Sequence, residues 1–346
     1  FLHRLRVVVV DEMHTFRGVF GSHVAHVLRR LRRLCARYGS DPTFVFASAT
    51  IGDPAGLGAA LCGKPVTAID VDGSPRGERL VALWNPPVLD AATGSRVSSH
   101  RTTATLVADL VAAGHRTIGF CRSRRGTVTV AAEARRRLGD DAAAVRPYRG
   151  GYLPSERREI EAELFSGRLR GVVATSALEL GVDVGGLDAC VLDGFPGTVA
   201  SMWQQMGRAG RTVRRSLAVL VAGEDALDQY LMAHPDEVFT RPPEPAVINP
   251  SNPYVLDAHL ACAAYETPLT RADERWWGDD LDDGVRRLVR DDRLKVRAAD
   301  ALRTVVGPGP RAVWAGGGYP SHGVGLRSGG GEEVRIVRAD GTTVGT

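Results

Sequence analysis

Short runs of β-branched residues separated by stretches of helical periodicity constrain this chain more than any other feature. The runs are Leu5 to Val10, Thr43 to Ala47, Val66 to Val71, Thr117 to Cys121, Gly171 to Ala174, Ala189 to Leu192 and Leu217 to Val221. Strands of this length alternating with helices predict an α/β fold, a parallel sheet closed by crossover helices. Between the first two runs, His23 to Gly39 sets Val24, Val27, Leu28, Leu31, Leu34 and Cys35 on one helical face. Arg29, Arg30, Arg33 and Arg37 fall largely on the other, which is expected to be solvated, with phosphate contact as the alternative.

The pattern breaks between residues 72 and 100, where glycine, proline and polar residues predict a linker. It resumes over 101–232, which is expected to form a second α/β unit. A proline-rich stretch beginning near His234 marks a further boundary, followed by mostly helical patterns over 233–310 and a glycine-rich, β-type segment over 311–346. With 346 residues the chain has room for two or three domains.

Composition narrows the function classes. Apolar residues make up 44% and charged residues 24%, and no apolar run approaches the ~18 residues of a membrane span. The N-terminal residues lack a signal peptide's apolar core, so a cytoplasmic location is expected. Cys35, Cys62, Cys121, Cys190 and Cys262 are scattered, which predicts buried thiols and no zinc site within the chain. The net charge is +4, and Lys64 and Lys295 are the only lysines. Arginine suits phosphate contacts, but the bias alone says little.

Two carboxylates end the first run, in "RVVVVDEMHTF". Open α/β sheets place ligands at the C-terminal ends of their strands. In a nucleotide hydrolase an aspartate there would hold Mg²⁺ and the adjacent glutamate would position and activate the attacking water. "FASATIGDP" then sets Ser48, Ala49 and Thr50 at the end of the next run, where small hydroxyl residues can hydrogen-bond the first loop. Farther on come "VVATSALELGVDV" and "QQMGRAGR", the latter with two arginines three apart whose fixed forks suit charge spread over phosphoryl oxygens.

In this order, "DEMH", "SAT", "GFCRSRR", "VVATSALELGVDV" and "QQMGRAGR" resemble motifs II to VI of a superfamily 2 helicase of the DExH type. Longer stretches, "DEMHTFRGVFGSHVAHVLRRLRRL", "YRGGYLPSERREIE" and "DGFPGTVASMWQQMGRAGR", resemble the bacterial mitomycin-repair helicases and their RecQ4-related relatives. The resemblance implies two RecA-like lobes, the first incomplete over 1–71, then a winged-helix-like region and the start of a β-rich domain. It implies an ATP-dependent 3′-to-5′ DNA helicase acting in repair, with ATP and Mg²⁺ as cofactors and DNA as partner. Residue by residue, it assigns Asp11 to Mg²⁺, Glu12 to water activation, and His14, Ser48 and Thr50 to coupling hydrolysis with strand movement. Gly181 and Asp183 fall at the nucleotide cleft, and Gln204, Arg208 and Arg211 complete the site. Arg122, Ser123, Arg124, Thr175 and Ser176, following two strands, are the candidate nucleic-acid contacts. Tyr148, Arg149 and Tyr152 either stack on bases or pack a turn, with packing preferred.

A phosphate-binding loop is missing from the array. The nearest match, Gly58 to Pro65, has proline where a hydroxyl is needed and follows the Asp-Glu pair instead of preceding it. Those residues instead predict a helix ending at Gly63. A fragment of a longer helicase, inactive alone, is therefore expected. An RNA helicase with the same core, or a nucleic-acid-binding remnant without catalysis, are the alternatives.

Overall fold

The computed structural model describes residues 1–71, 73, 77–179, 186–210, 214–297, 310–327, 336–337 and 343–345. In chain order the strands and α-helices are β1 (Val7–Val10), α1 (Gly18–Arg37), β2 (Thr43–Phe46), α2 (Pro54–Cys62), β3 (Arg79–Trp84), β4 (Val88–Asp90), β5 (Ser95–Arg96), α3 (Ser99–Ala112), β6 (Thr117–Cys121), α4 (Arg124–Leu138), β7 (Val145–Tyr148), α5 (Pro154–Phe165), β8 (Gly171–Ala174), β9 (Ala189–Asp193), α6 (Val199–Met206), β10 (Ser216–Val221), α7 (Ala226–Ala233) and α8 (Asp236–Thr240). They continue with α9 (Pro253–Glu266), α10 (Glu274–Trp277), α11 (Asp280–Arg290), β11 (Leu294–Arg297), β12 (Arg311–Trp314), β13 (Ile336–Val337) and β14 (Thr343–Gly345). The chain divides into two compact units, Phe1–Ile69 with Pro245–Thr346, and Asp70–Glu244.

In the second unit, six strands form a wholly parallel sheet in the order β3-β10-β9-β6-β8-β7. Its central strands β6, β8 and β9 are buried at every position, as strands covered on both faces must be. Val107 and Val111 of α3 and Val130 and Ala134 of α4 cover one face with Val173, Val191 and Val219. On the other face Ile160 and Leu164 of α5 and Met202 and Met206 of α6 pack on Ile118, Phe120, Val172 and Leu192. This is the α/β lobe expected from the alternating runs.

Two strands of this sheet depart from the sequence expectation. β3 lies in the stretch read as a linker, yet it pairs with β10 in parallel from Arg79↔Ser216 to Trp84↔Val221. Its flanking glycines and prolines hide it, and as an edge strand it leaves Leu80 exposed. β7 carries Pro147, which removes a backbone donor. It occupies the opposite edge, where one side of the strand needs no partner.

The first unit contains a two-stranded parallel sheet, β1 with β2, from Val7↔Thr43 to Val10↔Phe46. Val10, Phe44 and Phe46 pack on Met13, Leu28, Leu57 and Leu61. Val66 to Val71, read as a strand, forms none: Ile69 and Val71 are exposed and no neighbouring strand pairs with them. α2 ends as expected, with Gly63 in the left-handed conformation at φ 68° and its N–H bonded to the Ala59 carbonyl.

The arginine face of α1 is not a solvated surface. Arg33 is 5% exposed and donates to both oxygens of Asp273, at 2.8 and 3.1 Å, and to the carbonyls of Ala263, Thr267 and Pro268. Arg37 donates to Thr267 Oγ1 at 2.6 Å, and Arg30 pairs with Glu266. Beside them His23 Nδ1 lies 2.9 Å from His259 Nε2, and Trp277 Nε1 donates to His26 Nδ1 at 3.2 Å. Gly21 lets α1 lie close against the Phe16 backbone and the Ile248 side chain, since a Cβ there would lie 2.4 Å from the Phe16 carbonyl and 2.5 Å from Ile248. Helical periodicity cannot distinguish water from a second, polar protein surface lying against the same face, which is why the solvated reading fails here.

α9, α10 and α11 pack around Leu256, Leu260, Trp277, Leu281 and Leu288, and the antiparallel pair β11–β12 closes that cluster with Leu294 and Ala312.

Candidate nucleotide and nucleic-acid sites

In the first unit the chain turns sharply off the C-terminal end of β1. Asp11 is exposed, and its Oδ1 accepts the Glu12 N–H at 2.8 Å. Glu12 sits in the left-handed region at φ 52°, costly for a side chain with a Cβ and of the kind found at functional turns. The turn is held from below: Met13 N–H donates to the Ala47 carbonyl at 2.9 Å, and Thr15 Oγ1 donates to the Glu12 carbonyl at 2.8 Å. Met13 is buried in the core, where its flexible apolar chain fits.

His14 joins this turn to the loop after β2. Its Nδ1 accepts the Ala49 N–H at 3.3 Å and lies 3.5 Å from Glu12 Oε2. Accepting that bond puts the ring proton on Nε2 when the imidazole is neutral. The link therefore runs through the Ala49 amide, whereas Ser48 Oγ donates to the Ala49 carbonyl and Thr50 is exposed. Asp11 is an exposed carboxylate next to Glu12, and among the described residues neither belongs to a group of three or more metal-ligating side chains. That suits Mg²⁺, which takes one or two carboxylates and fills its remaining positions with water and phosphate.

In the second unit the candidate strand contacts share the C-terminal edge of the sheet, where neighbouring interior strands end. β6 and β8 are neighbours, with Phe120 opposite Ala174, so Arg122, Ser123 and Arg124 emerge beside Thr175 and Ser176. Ser123 caps α4, its Oγ accepting the Gly126 N–H at 2.9 Å, while Arg124 is exposed. Arg122 pairs with Asp225 at 2.8 Å and lies over Gly194, where a Cβ would sit about 3.0 Å from its guanidinium. Thr175 Oγ1 accepts the Ala177 N–H at 3.4 Å, and Ser176 is exposed. At the same edge His100 Nδ1 lies 2.5 Å from the buried Asp193, whose hydrogen bond holds the imidazole above its ordinary range. Tyr148 packs: it is buried and donates to Glu161 Oε1 at 2.6 Å, and burial with that bond pushes its pKa up to about 12. Tyr152 lies under Arg149, 4.9 Å from guanidinium to ring centre.

Arg208 is 6% exposed and donates to the carbonyl of Glu179, while Gln204, half-buried, lies on α6. Gly181, Asp183 and Arg211 lie outside the described residues. No motif spacing singles out Glu179, yet it joins the two segments. Its carboxylate accepts Ser201 Oγ and Gln205 Nε2, each at 2.8 Å. The available signal is an acidic residue inside an otherwise apolar run that becomes buried.

The six-stranded parallel lobe of one unit has the architecture of a RecA-like helicase lobe, and the helical cluster closed by a β-pair in the other has that of a winged-helix region. Residues 102–213 match the helicase conserved C-terminal domain, and residues 248–328 match the winged-helix domain of the ATP-dependent helicase HRQ1. The chain is 43% identical to the ATP-dependent helicase YprA of Bacillus subtilis, over 96% of this chain and 43% of YprA. It is 41% identical to the ATP-dependent helicase HRQ1 of Saccharomyces cerevisiae, over 78% of this chain and 26% of HRQ1. The DUF1998 helicase MrfA bound to DNA and AMPPNP superposes with a TM-score of 0.86 at 43% identity, over 94% of this chain and 44% of MrfA. Over nearly its whole length the chain resembles the superfamily 2 helicases of the MrfA and YprA type. It spans less than half the length of these relatives.

Proposed function

We infer that this chain is part of an ATP-dependent DNA helicase that translocates 3′ to 5′ in DNA repair, working in the cytoplasm. The observation that carries this reading is the turn after β1: two carboxylates, one on a left-handed backbone, tied through His14 to the loop after β2. MrfA, bound to DNA and AMPPNP, supports ATP as the nucleotide and DNA as the partner. Asp11 would hold Mg²⁺, which when bound with ATP neutralises charge on the phosphates. Glu12 orients the attacking water and takes its proton, and Arg208 and Arg211 supply positive charge to the phosphoryl oxygens. Gln204, Gly181 and Asp183 belong to the same nucleotide site. Ser48 and Thr50 take part with His14 in coupling hydrolysis to movement. Arg122, Ser123, Arg124, Thr175 and Ser176 grip the strand by its phosphates, without reading sequence.

A longer protein is part of the same reading. The β1–β2 sheet leaves Val7, Val9 and Val45 exposed on one face, where parallel sheets are ordinarily covered. The proposed organisation is a partial first lobe over 1–71, a connecting segment over 72–100 that contributes β3, a second lobe over 101–232, a winged-helix region over 233–310 and a β-rich start over 311–346. Comparing ATPase stimulation by single-stranded DNA and RNA, in the protein as encoded in full by its gene, tests the function. Stimulation by DNA is expected. Stimulation by RNA alone would identify an RNA helicase, and nucleic-acid binding without turnover would leave a non-catalytic remnant.

A further inference from the structure

Glu179 stands where the segment following β8 meets the segment that carries Arg208. It is 9% exposed, and two of the residues it bonds are as deeply placed, Gln205 at 5% and Arg208 at 6%, while Ser201 is half-buried. Two different parts of the residue reach the same helix-and-loop segment. The carboxylate accepts Ser201 Oγ and Gln205 Nε2, one turn apart on α6. The backbone carbonyl accepts from the Arg208 guanidinium, two residues beyond the end of that helix. Gln205 also donates to Ser201 Oγ at 3.2 Å, so the three polar groups close on one another, the Gln205–Glu179 bond buried and the Ser201 hydroxyl half-buried.

A buried carboxylate whose donors are a hydroxyl and an amide contributes chiefly geometry. Its lone pairs are satisfied only while α6 keeps one rotation and height relative to the residues after β8. The Arg208 bond adds a second constraint, because moving the Glu179 backbone moves the carbonyl on which the guanidinium rests.

We propose that Glu179 is a positioning residue for hydrolysis, fixing α6 through Ser201 and Gln205 and setting the place of Arg208 through its own carbonyl. This rests on the reading of Arg208 as the residue that supplies charge to the phosphoryl group. A displacement of the residues after β8 then bears directly on Arg208 through that carbonyl.

The test uses steady-state ATPase kinetics with saturating single-stranded DNA, on the protein as encoded in full by its gene, for Glu179→Ala, Arg208→Ala, and the swap Glu179→Gln with Gln205→Glu. The swap preserves an acid–amide pair with the partners exchanged. Misplacing a charge-stabilising group by about an ångström costs on the order of 100-fold in rate. Glu179→Ala is therefore expected to lower kcat by about 10- to 100-fold with the KM for ATP within about 2-fold of wild type, and the swap to restore most of the loss. Wild-type kcat in Glu179→Ala beside an impaired Arg208→Ala overturns the proposal, as does a swap no better than Glu179→Ala. Wild-type kcat in Arg208→Ala overturns instead the reading on which it rests. Should Glu179→Ala fail to fold, as judged by thermal unfolding, Gln205→Ala is read in the same way, since Ser201 still caps the buried carboxylate.

Discussion

Acidifying the protein from pH 7.5 to pH 5 should weaken the first unit through two buried histidines. Burial, chiefly, lowers the pKa of His26 to about 3 and that of His259 to about 2, against an ordinary value of 6.5. Their hydrogen bonds agree with neutral rings. His26 Nδ1 accepts from Trp277 while Nε2 donates to the Pro250 carbonyl at 2.7 Å, and His259 Nδ1 faces the Arg30 guanidinium at 3.2 Å. A second proton on either ring would confront a donor. Because both folded pKa values lie below the unfolded value, the unfolded chain takes up protons first as the pH falls. Stability is therefore full above pH 6.5 and is lost progressively below it. At pH 5 each unfolded histidine gains about 1.5 pH units of linkage, about 2 kcal/mol, so the pair costs about 4 kcal/mol. Urea unfolding at pH 7.5 and pH 5, for wild type and for His26→Gln with His259→Gln, isolates the contribution. The variant is less stable at pH 7.5 but should lose much less on acidification. Equal losses in the two proteins would refute the reasoning.

Arg33→Ala should destabilise the protein by about 3–5 kcal/mol in urea unfolding, because it strands the buried Asp273 carboxylate. Arg33→Met with Asp273→Leu should cost less than the single change. Arg124→Ala should weaken single-stranded DNA binding at all sequences alike and reduce the slope of log affinity against log salt by about 1, measured by fluorescence anisotropy across salt concentrations.

What was legible in the sequence was legible for different physical reasons. The central strands of the second sheet are continuous apolar runs because both faces are covered, and they are found where such runs stand. The carboxylate pair after β1 stands out only through the order of the motifs that follow it, since an acidic turn at a strand's end is by itself a weak signal. The edge strands β3 and β7 are harder: one is flanked by turn residues, the other contains Pro147, and neither needs a full apolar run. Val66 to Val71 fails in the opposite direction, since β-branched residues make a strand only beside a partner. Arg33 and the histidines of α1 look like surface residues because their partners, Asp273 and His259, lie more than 230 residues away in the chain. Glu179 is hidden likewise, as its role comes from a fold that brings α6 against it.

The most direct test of the central claim is single-turnover and steady-state ATP hydrolysis with single-stranded DNA by Glu12→Gln, in the protein as encoded in full by its gene. The turn after β1 should be kept, since the amide preserves the size of the side chain. Nucleotide binding should stay within a few-fold of wild type, while turnover falls by about 100-fold or more with loss of the general base. Hydrolysis at the wild-type rate would contradict the account, because the carboxylate at the end of β1 would then have no part in the chemistry.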